Sequence, residues 1–269
     1  MSGAGNDFVV CRRTDWPFAD ISRGRIRLLC ARGTGVGVDG LLVLKRLRKD
    51  RDTFRMSYYN SDGSRAAFCG NGARCAAQWA YRNGWVPKRF SFWTDSGNVE
   101  ARIVRGGCVR IRMPEPRWED REKRVRALGR WWRVLSVFVG VPHAVIWVGN
   151  LKKAAVELWG RSIRFHSAFG RQGTNVDFVS EDGRGGIEIR TYERGVERET
   201  SACGSGAVAS AVAFCLKRNV SPPILCKTAS GEVLTVDFSG DGLSHKKSGL
   251  GPVWLEGPVR TLFEGIYYF

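Results

Sequence analysis

The 269-residue sequence predicts an α+β chain made of two related halves. Three observations carry that expectation. Strand-like segments broken by glycine turns dominate the chain. One helix of small residues interrupts them in each half. Both helices open on the same element, Cys-Gly-polar-Gly-Ala, at Cys69 in CGNGAR and at Cys203 in CGSGAV, 134 residues apart. A repeat at about half the chain length reads as an internal duplication. The upstream residues partly agree: YYNSDGSRAAF precedes Cys69 and TYERGVERETSA precedes Cys203, each an aromatic strand end followed by a polar turn.

In chain order, VGVDGLLVLKRL reads as a strand after a glycine turn, and TFRMSYYNSDG as a strand ending in a tight Asp-Gly reversal. From Cys69 to about Gly84 the small residues Ala73, Ala76, Ala77 and Ala80 predict a packed helix, with Asn83-Gly84 as its stop. RFSFWTDSGNVEARIVRGGCVRIRM alternates and breaks at Ser96-Gly97 and Gly106-Gly107, as hairpins do. PEPRWEDREKRVRALGR, Pro-rich and then charged, is the expected crossing between halves. It divides the chain into residues 1–112, rejoined by a C-terminal strand at about 257–269, and residues 113–256. WWRVLSVFVGVPHAVIWVGN predicts strands around a Gly-Val-Pro-His turn, VELWGRSIRFHSAF a helix, and TNVDFVSEDGRGGIEIRTYERG a hairpin. A second cysteine helix, about Cys203 to Asn219, and C-terminal strands complete the chain. One core helix per half, without alternating βαβ units, disfavours a doubly wound sheet.

Composition excludes several function classes. No apolar run of about 18 residues is present, which argues against a spanning helix. MSGAGNDFVV lacks the basic and apolar regions of a signal peptide, so a cytoplasmic protein is expected. The 8 cysteines form no disulfide framework, because a chain this long and this rich in Leu, Val and Ile needs no staples. No metal is expected: there is no Cys-x-x-Cys pair, and the only histidines are His143, His166 and His245. Cys11, Cys30, Cys108, Cys215 and Cys226 sit in strand-like contexts and read as inert core thiols. The net charge of +17 raises nucleic acid as a partner. Its arginines, however, are scattered through RRTDWPFADISRGRIR, KRLRKDRDTFR and EDREKRVRALGRWWR, which reads as a solvated surface. Trp131-Trp132 reads as core packing or crevice lining.

A thiol at a helix N-terminus faces unpaired N–H groups and the positive end of the dipole, which favour its ionised form. The glycines that follow let a carboxylate approach the backbone. With the two halves facing each other, one sulfur would lie on each side of a substrate α-carbon. One thiolate would remove the α-proton, and the other thiol would protonate the opposite face. Charge shifted onto the carboxylate would be held by helix N–H groups. No lysine stands in a pyridoxal-phosphate setting, so no cofactor is expected.

The chain resembles the diaminopimelate epimerase family of pyridoxal-phosphate-independent racemases over nearly its whole length. The resemblance rests on GAGNDF at 3–8, GVGVDGLL at 35–42, NSDGS at 60–64, CGNGARC at 69–75, GVPHAV at 140–145, NVDFV at 175–179, YERGVERET at 192–200 and ACGSGA at 202–207, in that order. It implies two pseudo-symmetric domains, each a strand-rich barrel around a central helix, with the active site in the cleft between them. It implies interconversion of LL- and meso-2,6-diaminopimelate, serving lysine and peptidoglycan synthesis. Cys69 and Cys203 would be the acid/base pair, with His143 and Glu193 tuning them. Gly70, Asn71, Gly204 and Ser205 would hold the reacting carboxylate. Asn6, Asn60, Asn175, Glu193 and Arg194 would recognise substrate, since a zwitterion needs a guanidinium or amide for its carboxylate and acceptors for its ammonium.

Two departures stand out. Val141 occupies a place where many relatives carry Asn, which bears on the far end of the substrate. Met1 falls almost on the first motif, where relatives have a short preceding strand; a missing edge strand and a late start both fit. Four readings follow: a diaminopimelate epimerase; a cofactor-independent racemase of another amino acid such as histidine; an isomerase of the phenazine-biosynthesis type; and a basic nucleic-acid binder. The partner expected is a small amino acid, with no specific nucleic acid and no membrane. Monomer and homodimer both stay open.

Overall fold

A computed structural model describes residues 1–47, 53–239 and 250–269. His245 and part of KRLRKDRDTFR lie outside them. The chain is α+β, as the alternation predicts, and falls into two compact units, residues 1–111 with 256–269, and residues 112–255.

In the first unit, eight strands form a closed ring. Asn6–Arg12 runs parallel to Gly40–Arg46, which pairs antiparallel with Phe54–Asn60. Phe54–Asn60 joins Arg89–Thr94 in parallel, and Gly97–Ile103 and Cys108–Met113 follow antiparallel. Val253–Arg260, whose later part belongs to this unit, pairs with Cys108–Met113 and with Ser2–Gly3, and Ser2–Gly3 returns to Asn6–Arg12.

Between the first two parallel strands lies helix α1, Arg23–Cys30, which the sequence reading assigned to a charged surface. The correction has a clear cause. Ile26, Leu29 and Cys30 follow helical spacing and are buried beside Trp16, Leu41 and Val43, while Arg23 and Arg27 face out. Helix α2, Gly70–Arg82, packs against strands on several sides of the ring. Its residues 71–77 are all buried. Leu42 and Leu44 lie on the opposite pleat from Leu41 and Val43, so this strand is apolar on both faces. Asn83 ends α2 and Gly84 follows at φ 66, as the predicted stop requires.

The second unit repeats the order of elements. Pro142–Trp147 runs parallel to Asn175–Glu181, with helix α3, Val156–Arg164, between them in sequence. Asn175–Glu181 pairs antiparallel with Ile187–Glu193, which holds the short strand Arg198–Thr200. After helix α4, Gly204–Arg218, the strand Ile224–Lys227 joins Ile187–Glu193 in parallel and turns antiparallel into Val233–Asp237. The first unit has the same sequence of steps around α1 and α2. The expected duplication is therefore visible in topology where residue similarity is faint. α4 is buried from Gly206 to Cys215 and ends at Asn219 in the left-handed region.

The expected crossing, PEPRWEDREKRVRALGR, is more structured than its composition suggests. Lys123–Ala127 pairs with Arg130–Phe138 through a two-residue turn at Leu128-Gly129, both at positive φ. Trp132 is buried in the second core, whereas Trp131 is exposed. Each of the 8 cysteines keeps its thiol, with no disulfide among the described residues. Cys30, Cys215 and Cys226 are buried as expected, but Cys11 and Cys108 are only half-buried. No helix among the described residues is long and apolar enough to cross a membrane.

Gly160 lets α3 lie directly on Tyr192: a Cβ there would stand 2.4 Å from the Tyr192 Cβ. Gly160→Ala should therefore cost about 1–3 kcal/mol of stability, although alanine favours helices, because the buried ring must move. Urea unfolding followed by circular dichroism measures it, and an unchanged or raised midpoint would contradict this packing.

Candidate active site

Each repeated element places its cysteine at the N-cap of a central helix. Cys69 has extended φ/ψ of −143° and 115°, and its sulfur accepts the Gly72 N–H at 3.5 Å. Cys203 has φ −117° and ψ 113°, with its sulfur 3.5 Å from the Ser205 hydroxyl. Cys69 is half-buried and Cys203 buried. The second glycine of each element explains why the helices start where they do. A Cβ on Gly72 would meet Leu42 Cδ2 at 2.9 Å, and one on Gly206 would meet Asp177 Oδ1 at 2.4 Å. Glycine alone lets the first helical turn press against the sheet.

Around Cys69 the predicted residues form a continuous network. Asn6 donates to Asp39 Oδ2 at 3.1 Å and accepts from Asn71 Nδ2 at 2.7 Å. Asn71 Oδ1 accepts from Arg74 Nη2 at 2.7 Å, and Arg74 Nη1 donates to Gly70 O at 3.3 Å. Gly3 is needed because a Cβ there would stand 2.7 Å from Asn71 O. Asn60 does not join this network. Its amide accepts from the Tyr58 hydroxyl at 2.7 Å and donates to Ser64 Oγ at 3.0 Å, closing the Asp62-Gly63 turn.

The surroundings of Cys203 are acidic. His143 is buried, and its Nδ1 lies 2.7 Å from Asp177 Oδ2; Thr191 donates to Asp177 Oδ1 at 2.7 Å. A carboxylate can only accept, so Nδ1 carries a hydrogen and the ring's other edge is Nε2, buried without a hydrogen-bond partner among the described residues. Burial pushes the Cys203 thiol well above its ordinary range, and the Glu193 and Asp177 charges push the same way, opposed by Ser205 and the Gly206 N–H. Burial also raises the Glu193 carboxyl, against the Thr200 hydroxyl and His143. Asn175 donates to Pro142 O at 3.0 Å and accepts the Arg194 N–H at 2.8 Å, tying the Gly-Val-Pro-His turn to Tyr-Glu-Arg-Gly. The half-buried Arg194 guanidinium has no side-chain hydrogen bond among the described residues. Pro142 and His143 also line a cavity of about 590 Å³ within this unit, together with Arg117, Lys123, Phe138 and Phe169.

Sequence reasoning missed Asp177, Thr191, Asp39 and Arg74. Asp177 had a signal: it stands two residues after Asn175, hence on the same face, and between the apolar Val176 and Phe178. Arg74 had one too, as a charged residue inside a run of alanines and glycines.

The diaminopimelate epimerase family model matches residues 1–119 and 135–254, which include both cysteine elements. The chain belongs to the diaminopimelate epimerase family. It is 41% identical to the diaminopimelate epimerase of Aquifex aeolicus, over 98% of this chain and 95% of that one, and 36% identical to that of a Hydrogenobaculum strain with the same coverage. Its fold resembles a hydroxyproline epimerase from Agrobacterium vitis, with a TM-score of 0.70 at 16% identity, over 96% of this chain and 87% of that one. This member is accordingly an isomerase of the racemase and epimerase class.

The pair formed by His143 and Asp177 gives a direct expectation. In the wild-type epimerase, imidazole ¹⁵N resonances of His143 should show a proton held on Nδ1. Asp177→Asn should abolish that preference, because an amide can meet either nitrogen. Identical spectra for the two proteins would contradict the arrangement.

Proposed function

We propose that the chain interconverts LL- and meso-2,6-diaminopimelate, with Cys69 and Cys203 as the two proton-transfer groups. The observation that carries the reading is the repeated placement of a thiol at the N-cap of a long central helix in a chain of this family. In one direction the Cys69 thiolate takes the α-proton, the C–H electron pair spreads into the carboxylate, and the Cys203 thiol protonates the opposite face. Cys69 ends as a thiol and Cys203 as a thiolate, and the reverse reaction restores them. N–H groups of Gly70, Asn71, Gly204 and Ser205 hold the charged carboxylate. His143 and Glu193 tune Cys203, while Asn6, Asn60, Asn175 and Arg194 recognise the substrate's polar groups.

This reading assigns a cytoplasmic enzyme of lysine and peptidoglycan precursor synthesis that uses no cofactor and binds no specific nucleic acid. Several arginines pair with acids: Arg65 with Asp95, Arg190 with Glu199 and Arg218 with Glu181, which supports a solvated surface. Both thiols belong to one chain, so the chemistry requires no second copy.

Reduced protein in deuterated water should wash deuterium into the α-carbon of LL-diaminopimelate. Cys69→Ala and Cys203→Ala should each lose conversion by about 10³-fold or more, as loss of a proton-transfer group entails. Exchange into histidine and not into diaminopimelate would replace this reading by the racemase alternative, where Val141 is the relevant departure.

Glu193→Gln tests the tuning of Cys203. Removing a negative neighbour lowers the energy of the thiolate, so Cys203 should lose its proton at lower pH. The alkaline limb of the rate in the direction that needs the Cys203 thiol should then move to lower pH, with a loss of about 10- to 100-fold at its former optimum. An unmoved limb would remove Glu193 from that role.

A further inference from the structure

Arg74 is completely buried in α2, and no ion pair joins it to a carboxylate among the described residues. Nη1 and Nη2 donate to Gly70 O and Asn71 Oδ1, at 3.3 and 2.7 Å, and Nε is buried with no partner among the described residues. The groups that act favourably on its charge are the sulfurs of Cys75, Cys69 and Cys108; no acid is among them. An unpaired buried cation is costly, and burial itself pulls the Arg74 guanidinium below its ordinary range. Such an arrangement persists where a counter-charge forms beside it.

Of the three sulfurs, Cys75 is excluded as that counter-charge, because burial pushes its thiol up to about 12. Cys108 starts a strand and has no helix N-terminus behind it. Cys69 is half-buried, sits at the positive end of α2 and accepts the Gly72 N–H. Gly70 and Asn71, which the guanidinium grips, follow it directly. Asp7 and the Met1 ammonium also act on this cluster, and Asp39 reaches it through Asn6.

We propose that Arg74 is the positioning residue for Cys69: its buried guanidinium fixes the Gly70-Asn71 turn by two hydrogen bonds and supplies an unneutralised positive charge, so that Cys69 rests as the thiolate while Cys203, among carboxylates, rests as the thiol. This rests on the assignment of Cys69 as a proton-transfer group. The resting enzyme is thereby polarised, ready to abstract a proton from the Cys69 side.

The test needs no turnover. Iodoacetamide alkylation of the substrate-free protein across pH, read by mass spectrometry on the peptide bearing Cys69, gives the midpoint at which that sulfur ionises. In the wild type it should lie below the ~8.5 of a free thiol. Arg74→Gln should raise it by about one unit or more, a roughly tenfold loss of labelling at pH below the midpoint, and Arg74→Lys should restore it to within about half a unit. A wild-type midpoint at or above that of a free thiol overturns the proposal, even if the Gln variant does not fold. So does a folded Gln variant with an unmoved midpoint, or a Lys variant that behaves like the Gln one. Deuterium wash-in by the wild type reports separately on whether Cys69 acts on substrate, so the two failures are distinguishable.

Discussion

A helix can begin against the inside of a curved sheet only where its first turn carries nothing that the sheet must make room for. Gly72 and Gly206 meet that constraint in the two units, one against Leu42 and the other against Asp177. The rest of the candidate site depends on it. Once that glycine admits the first turn, the residue three before it is the N-cap, and its side chain stands over unpaired N–H groups. A cysteine there is a thiol at an anion site. Capping normally falls to serine, threonine, aspartate or asparagine; here it falls to cysteine, whose thiol can gain or lose a proton.

Identical backbone solutions then acquire opposite electrostatics from their walls. The first unit surrounds its cysteine with amides, the Gly72 N–H and a buried guanidinium. The second surrounds its cysteine with Glu193, Asp177 and the histidine that Asp177 orients. Negative neighbours and burial both favour a thiol over a thiolate, so Cys203 keeps its proton. A two-base inversion needs one loaded and one empty proton carrier at the start. Two symmetric thiols would share that state equally, whereas two differently walled thiols assign it.

Much of this was legible in the sequence, because the repeated element, the alanine-rich helices and the glycine breaks are local signals. Local rules find Gly84 after α2 and Asn219 after α4, since helix stops have their own chemistry. What escaped had a non-local cause. α1 was hidden because three arginines are spread among its four apolar residues, and only the fold shows that Ile26, Leu29 and Cys30 share a buried face. The strand Lys123–Ala127 was hidden by charge for the same reason: its buried members are only Val125 and Ala127. Cys11 and Cys108, read as core thiols, are only half-covered, because strand alternation does not say how deep a face lies.

The residues missed at the site share a further property. Asp177 and Arg74 are charged groups inside apolar elements, and each holds the next residue in place: Asp177 holds His143, Arg74 holds Gly70 and Asn71. A sequence motif displays the groups that could touch a ligand, since these sit in glycine-rich turns. The groups behind them sit in regular strands and helices, where a single charge looks like noise. Burial turns that reading around. A charge that must be desolvated to complete a fold destabilises it unless something compensates. In the second unit the compensation is internal, since Asp177 is satisfied by His143 and Thr191. In the first it is incomplete, and the group best placed to complete it is the Cys69 sulfur at the end of the same helix.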